Sequence, residues 1–460
     1  MYRFPKNQDQ DATLCSIIKD SLLLVLAMLM ILPPSAARAQ EIPRPSLTRR
    51  KPPQAPPPDS NIKVGQVHFT VDAGLVTEYV DNINLTSDPV GDVIITPEIG
   101  IAAAWQATTL NTFRFRTALG WNKYLDHPQL DRQNLTISPD SALSFKLYAG
   151  DFRIDVYDRF SLKNETNDQA SLAGISSLPR FENTAGVSIT WDLNDMTWSL
   201  GYARYDLVTL GSAVSGDGTE TTDLSQLDHV THQISASVNF KFTSTLMAGL
   251  EATGSNSVYP DDSRNFTSFS FGPFVQLQLT RYTSVAVDAG LKGYSTEDGE
   301  PVMLTRLVVA EDGSVGIEDF DVPGHPGGTE TGFYAHVALT HRLNRHYADR
   351  LDFGHEDQAD AFSGRTETDY VRYSSNWTLG NRFSLSFSLF WEHVRETSGS
   401  IIGTTAPSDY RRTGGGISAT YQVSDRTNVG LAYQFIKQES DLLAASYEQN
   451  RFLLRLGYRF

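Results

Sequence analysis

A two-residue rhythm constrains this chain more than any other feature. In FSLSFSLFWE, Phe383, Leu385, Phe387, Leu389 and Trp391 share one register, and Ser384, Ser386, Ser388 and Glu392 share the other. In VTHQISASVNFKF, Val230, Ile234, Ala236, Val238, Phe240 and Phe242 oppose Thr231, Gln233, Ser235, Ser237, Asn239 and Lys241. Successive side chains of a strand point to opposite faces, so each stretch has one apolar and one polar face. Such stretches recur from about Ile62 to Phe460, separated by turn residues and with almost no helical period. No change of composition marks a domain boundary within them.

Alternation alone also fits a soluble sandwich or propeller. Three features argue against those folds. Tight connectors (TTLN, LND, FTST, LTRYT, GNR, SDRT) trade places with long polar loops. Aromatic residues gather near strand ends, at Trp105, Trp121, Trp191, Trp198, Tyr202, Trp377, Trp391, Tyr421, Tyr433 and Tyr458. The apolar face repeats in every strand, and one chain has too little else to cover it. In lipid, only a closed barrel pairs every strand, and membrane barrels carry aromatic girdles at both interfaces.

The expected fold is therefore all-β: a transmembrane, antiparallel, up-and-down barrel. The periodicity predicts strands at 64–80, 92–106, 112–124, 139–149, 151–162, 182–193, 196–206, 228–242, 245–257, 266–280, 283–294, 329–343, 346–353, 367–379, 382–395, 409–423, 427–438 and 447–460. That is about 18 strands, with 16 as the alternative count. The weakest spans are 346–353, where Asp349 would face lipid, and 367–379. The longest loop, about Ser295 to Gly328, has room for an extra hairpin around TRLVVAEDGSVGIEDF or for an inward constriction.

The N-terminal region reads as a targeting segment. Arg3, Lys6 and Lys19 precede the apolar run Ser21 to Leu32, and Ala37-Arg38-Ala39 follows as an A-x-A cleavage pattern. The run is shorter than the roughly 20 residues of a spanning helix, which favours a secretory signal peptide over an anchor. The expected organisation is a signal at 1–39, a linker at 40–61 and a barrel at 62–460. Prolines crowd QEIPRPSLTRRKPPQAPPPDS, so the linker reads as extended and periplasmic. Cys15 lies before the apolar run and would leave with the signal, excluding disulfides and thiolate chemistry from the mature chain.

Charge is distributed unevenly. The formal net charge is −16, with acid concentrated in loops such as STEDGE and GIEDFD. The polar register of the strands is more basic. It holds Arg114, Arg116, Lys146, Arg153 and Arg159, then Lys241, Lys292, Arg342, Arg350 and Arg372, and finally Arg412, Arg451, Arg455 and Arg459. Glu98, Asp155 and Asp288 oppose them, along with Asp72, Glu78, Asp192, Glu251, Asp352 and Glu392. A basic wall lowers the barrier for an anion, although lumen charges also pair across strands and merely fill an interior.

No pattern for catalysis or metal binding emerges. His341 and His346 flank a turn without an HExxH spacing, and GxSxG is absent. His336 and His393 are the histidines that could be nominated near a rim. No enzyme activity, cofactor or metal is expected, and the acidic balance opposes nucleic-acid binding.

The stretch Glu78 to Trp105, EYVDNINLTSDPVGDVIITPEIGIAAAW, resembles an outer-membrane β-barrel porin family of proteobacteria. The matching residues are Asp81-Asn82-Ile83 and the run from Asp92 to Ile99. The C-terminal RFLLRLGYRF sets Leu456, Tyr458 and Phe460 on one face, which looks like the sorting signal read by the barrel-assembly machinery. The resemblance implies the outer membrane of a Gram-negative bacterium, with lipid and lipopolysaccharide as surroundings. Family members often accompany polysaccharide export, so it also implies a conduit for acidic exopolysaccharide, with polysaccharide-export proteins as partners. The alternatives are a general small-solute porin and a non-conducting surface barrel that works through its extracellular loops.

Overall fold

The computed structural model describes residues 60–164, 175–210, 214–215, 227–260, 265–296, 302–309, 315–322, 328–360, 364–396, 409–441 and 446–460. Eighteen long strands form the wall. They are β1 Val67–Val80, β2 Asp92–Gln106, β3 Thr112–Trp121, β4 Ala142–Ala149, β5 Phe152–Lys163 and β6 Arg180–Asp192. Next come β7 Met196–Thr209, β8 His229–Lys241, β9 Leu246–Val258, β10 Phe266–Gln278, β11 Thr283–Thr296 and β12 Gly328–Asn344. The last are β13 Tyr347–Asp360, β14 Gly364–Leu379, β15 Phe383–Glu396, β16 Asp409–Gln422, β17 Thr427–Ser440 and β18 Tyr447–Arg459. Each pairs antiparallel with its neighbours in sequence. The sheet closes where β1 meets β18, from Asp72 opposite Arg459 to Val80 opposite Arg451. Closure leaves no free edge along the wall, as a hydrocarbon environment requires.

The registers sort as the alternation predicts. Leu75, Ile99, Leu119, Ile234, Leu291 and Leu431 are exposed on the outer face, with Leu291 68% exposed. Aromatic residues ring both ends of this apolar band. Trp105, Trp191, Trp198, Trp377, Tyr421 and Tyr458 lie near the short turns, while Trp121, Tyr202 and Trp391 lie higher. Phe152 stacks on Trp191 at 5.5 Å, and Tyr347 meets Trp377 edge-on at 5.2 Å. On β15 the outward apolar run from Phe383 to Trp391 gives way to His393 and Arg395. That run spans roughly 20–25 Å at typical strand tilt, close to the apolar band of membrane barrels. The chain is thus a transmembrane barrel. Among the described residues, no helix is long and apolar enough to cross a membrane.

All connections at one rim are short, from residues 150–151 and 345–346 to 107–111. Both ends of the described chain lie at this rim. Ile62–Val64 folds back along the foot of β1, beyond the point where β18 ends. The Asn61 side-chain amide donates to the Val71 carbonyl at 2.8 Å and accepts from its N–H at 3.0 Å, adding one more rung at the seam.

The clearest departure from the sequence reading is at β13. β13 runs on to Asp360 rather than stopping at 353, because EDQAD pairs with β14 although its composition reads as loop. The connection to β14 is consequently short, 361–363, and height is gained by strand instead of loop. Asp349 does point outward, but it sits beside the turn at 345–346, where the Tyr373 hydroxyl donates to it at 2.9 Å. In the longest loop, Val302–Val309 pairs with Val315–Val322 as the extra hairpin. The expected signal at 1–39, with Ala37 and Ala39, and nearly all of the expected linker at 40–61 lie outside the described residues.

Candidate functional site

Eighteen closed strands enclose a backbone cylinder roughly 35 Å across, wider than inward side chains alone can fill. On this concave face, side chains cross whole strands. Tyr334 of β12 lies flat over β11 and β10 and reaches toward Glu251 of β9. Only glycine permits this: a Cβ on Gly290 would sit 2.6 Å from the Tyr334 ring, and one on Gly272 would sit 2.6 Å from its hydroxyl. At the seam, Arg455 of β18 passes over Gly74 of β1 to reach Glu98 of β2 at 2.7 Å.

A charge network runs around one side of this face. His336 of β12 lies between Asp288 of β11 at 3.0 Å and Asp352 of β13 at 3.2 Å. Arg350 pairs with Asp352 at 2.6 Å. Arg372 of β14 pairs with Glu392 of β15 at 2.8 Å, and Arg412 of β16 approaches the same carboxylate at 3.6 Å. The carboxylates sit behind the guanidiniums. The side chains of Arg350 and Arg372 are 52% and 48% exposed, against 16% and 14% for Asp352 and Glu392. The wall therefore shows its basic side to the lumen. Arg372 also lies over the Tyr370 ring at 4.3 Å, which fixes the guanidinium plane.

Arg350, Asp352, Arg372, Glu392 and Arg412 line a recess of about 530 Å³ together with Ser374, Ser388, Phe390, Gln434 and Ile436. A loop closes over one edge. The β1–β2 connection, residues 81–91, turns inward, and its Leu85 is only 2% exposed. Leu85 packs on Ile436, Tyr447 and Phe390, two of which also line the recess. The loop is held by its own polar residues. The Asn82 side chain donates to the Thr86 and Glu448 carbonyls, and Gln449 donates to the Asn82 carbonyl. The Asp81 carboxylate accepts from the Asn450 backbone and side-chain amides. Leu85 adopts φ 51°, a left-handed conformation that a leucine holds only when its surroundings compensate.

The remaining predicted lumen residues take the inward register but do not form one cluster. Arg114 and Arg116 are exposed on β3, with no ion pair among the described residues. Arg153 pairs with Asp155 at 2.8 Å, and Lys146 lies 4.0 Å from the same carboxylate. Arg159 lies over the Tyr157 ring at 5.3 Å. Lys241 and Arg342 stand near the short turns. Lys292 donates to the Asp357 carbonyl, and Arg451 pairs with Glu78. Arg459 lies opposite Asp72 at the seam. The two nominated histidines separate: His336 is in the network, whereas His393 points outward and pairs with Asp409 at 2.7 Å. Among the described residues, no group of His, Cys, Asp and Glu is arranged to hold a metal.

Sequence reasoning missed Leu85 and the inward course of its loop. The one signal was a lone leucine inside the polar run NINLTSD. It also missed Asp92 as an organiser. This buried carboxylate accepts from the backbone amides of Val93, Leu125, Asp126 and His127, and from the His127 ring, pinning the tall β3–β4 loop.

No family model and no curated relative matches the chain. Solved structures similar to it include the following three. Pseudomonas aeruginosa OccK2 (OpdF), in complex with glucuronate, is 11% identical with a TM-score of 0.44, covering 86% of this chain and 98% of that one. P. aeruginosa OccK5 (OpdH) is 11% identical with a TM-score of 0.43, covering 85% and 98%. A BenF-like porin from Pseudomonas fluorescens Pf-5 is 12% identical with a TM-score of 0.43, covering 85% and 99%.

Proposed function

We propose that the protein is a porin-like channel of a Gram-negative outer membrane, passing small hydrophilic solutes and favouring anions. The observation that carries this reading is the half-exposed pair Arg350 and Arg372, backed by the less exposed Asp352 and Glu392 on the wall of a wide closed barrel. Fixed guanidiniums lining a water-filled passage attract anions and exclude cations without any covalent step. The inward loop bearing Leu85 narrows the mouth above them.

The short-turn rim is assigned to the periplasm, with the signal at 1–39 and the Pro-rich linker leading to it. Leu456, Tyr458 and Phe460 serve the barrel-assembly machinery, and lipid with lipopolysaccharide surrounds the outer band. A conduit for acidic exopolysaccharide is the narrower alternative. A polymer needs a broad uninterrupted path, and the Leu85 wedge favours small solutes instead.

The test is single-channel conductance of the mature protein in a planar bilayer under a salt gradient. An open channel with reversal toward the anion potential is expected. Silence at every voltage in both membrane orientations sinks the channel reading and leaves a surface barrel.

A further inference from the structure

The wall is not paired to the same height all the way round. β11 and β12 pair up to Thr296 opposite Gly328, and β13 and β14 pair up to Asp360 opposite Gly364. Between β12 and β13 the ladder runs only as far as Ala335 opposite His355. Above that level, where β13 has left the apolar band, no main-chain pairing joins 330–334 to 356–360 among the described residues. The register does not forbid it. Continued upward, it would set Tyr334 against Glu356 and Glu330 against Asp360.

Side chains bridge the join instead. Lys292 and Tyr294 of β11 reach across β12 on the lumen side, and both donate to the Asp357 carbonyl. The crossing passes over Gly332, which lies opposite Lys292, and a Cβ at Gly332 would collide with the Asp357 carboxylate. The main chain of β13 at Asp357 is thus drawn to the lumen side of β12, and Asp357 is only 1% exposed. Arg365 of β14 grips the Asp357 carboxylate with two donors, at 2.9 and 2.8 Å. The same guanidinium pairs with Glu330 of β12 and lies 5.4 Å from the centre of the Tyr294 ring.

We propose that this join is a gate at the channel mouth. The upper end of β13, with β14 beside it, moves between the latched position of this structure and a zipped position in which 356–360 pair with 330–334. Both positions satisfy the Asp357 carbonyl, one through β11 side chains and the other through the β12 main chain. An element with two such satisfied arrangements is two-state rather than gradually deformable. Zipping returns β13 to the wall and widens the mouth. That consequence rests on the channel reading, whereas the movement itself does not.

The test uses Gly332→Leu, which changes no charge and puts a side chain where the Asp357 carboxylate sits. Hydrogen exchange of the refolded protein in micelles reads the join directly. Alternate amides within 330–334 and 356–360 should gain at least tenfold protection, because a ladder replaces side-chain contacts. Open-channel conductance in a planar bilayer should rise at least 1.5-fold. A second variant, Gly332→Cys with Asp357→Cys, holds the latched position through a disulfide. Cys15 is the one native cysteine and is expected to leave with the signal, so no other thiol competes. Reducing this variant frees β13 without changing charge, and conductance should rise at least 1.5-fold over the oxidised form. Heat-modifiable migration on gels confirms that each variant has folded. Exchange in Gly332→Leu that is unchanged or faster overturns the proposal, because the upper strands then stay apart. So do open channels whose conductance is equal in the oxidised and reduced forms. Silent barrels in which exchange still slows overturn the channel reading and leave the moving join standing.

Discussion

Replacing Glu392 with Gln should make the channel more anion-selective, and the size of the effect follows from geometry. Glu392 neutralises Arg372 at 2.8 Å and Arg412 at 3.6 Å, so its removal adds one net positive charge beside the recess. A small ion in the recess passes about 5 Å from that position. In water this is ~0.8 kcal/mol of Coulomb energy, reduced to ~0.5 kcal/mol by 0.1 M salt. Near the low-dielectric wall the value is up to about twice as large. The anion gains this energy and the cation loses it, so the anion-to-cation permeability ratio should rise about 5- to 30-fold. Arg372→Gln should shift the ratio the opposite way by a similar factor. The assay is the zero-current potential across a planar bilayer under a tenfold salt gradient. A change under twofold in both variants, with channels still open, refutes the reasoning, because it means ions do not pass this wall.

Further expectations concern the loops and the wall. Leu85→Ala removes a buried anchor worth about 2–4 kcal/mol. Hydrogen exchange of amides 82–90 should accelerate, and open-channel conductance should rise as the loop leaves the mouth. Asp92→Ala strips a carboxylate from the amides of Val93, Leu125, Asp126 and His127. It should loosen the β3–β4 loop by about 3 kcal/mol, seen as faster proteolysis at 125–134. Gly290→Val drives a side chain into the Tyr334 ring and should cost about 1–3 kcal/mol in urea unfolding from micelles, with Tyr334→Ala restoring part of the loss. Deleting Phe460 should lower the amount of barrel assembled in cells while refolding in detergent is largely retained.

Most of the wall was legible in the sequence because one physical constraint wrote it. A strand with lipid on one side and water on the other must alternate at every position, and Phe383 to Glu392 or Phe452 to Phe460 show this without any tertiary contact. The strand count, the inward register of the basic residues and the outward aromatic girdles follow from that local rule. It failed where the environment ceases to be two-sided. Beyond Phe353, β13 stands above the apolar band, so His355 to Asp360 lost the rhythm while keeping the pairing. What only the tertiary structure decided is which inward groups meet. Asp288, His336, Asp352, Arg372, Glu392 and Arg412 come from six strands and become neighbours through closure and strand order. Leu85 turns inward because Ile436, Tyr447 and Phe390, contributed by β17, β18 and β15, offer it an apolar seat. Alternation is a property of each residue and its two sides, so it can be read from the chain alone. Convergence depends on curvature and closure across the whole sheet, which no local stretch encodes.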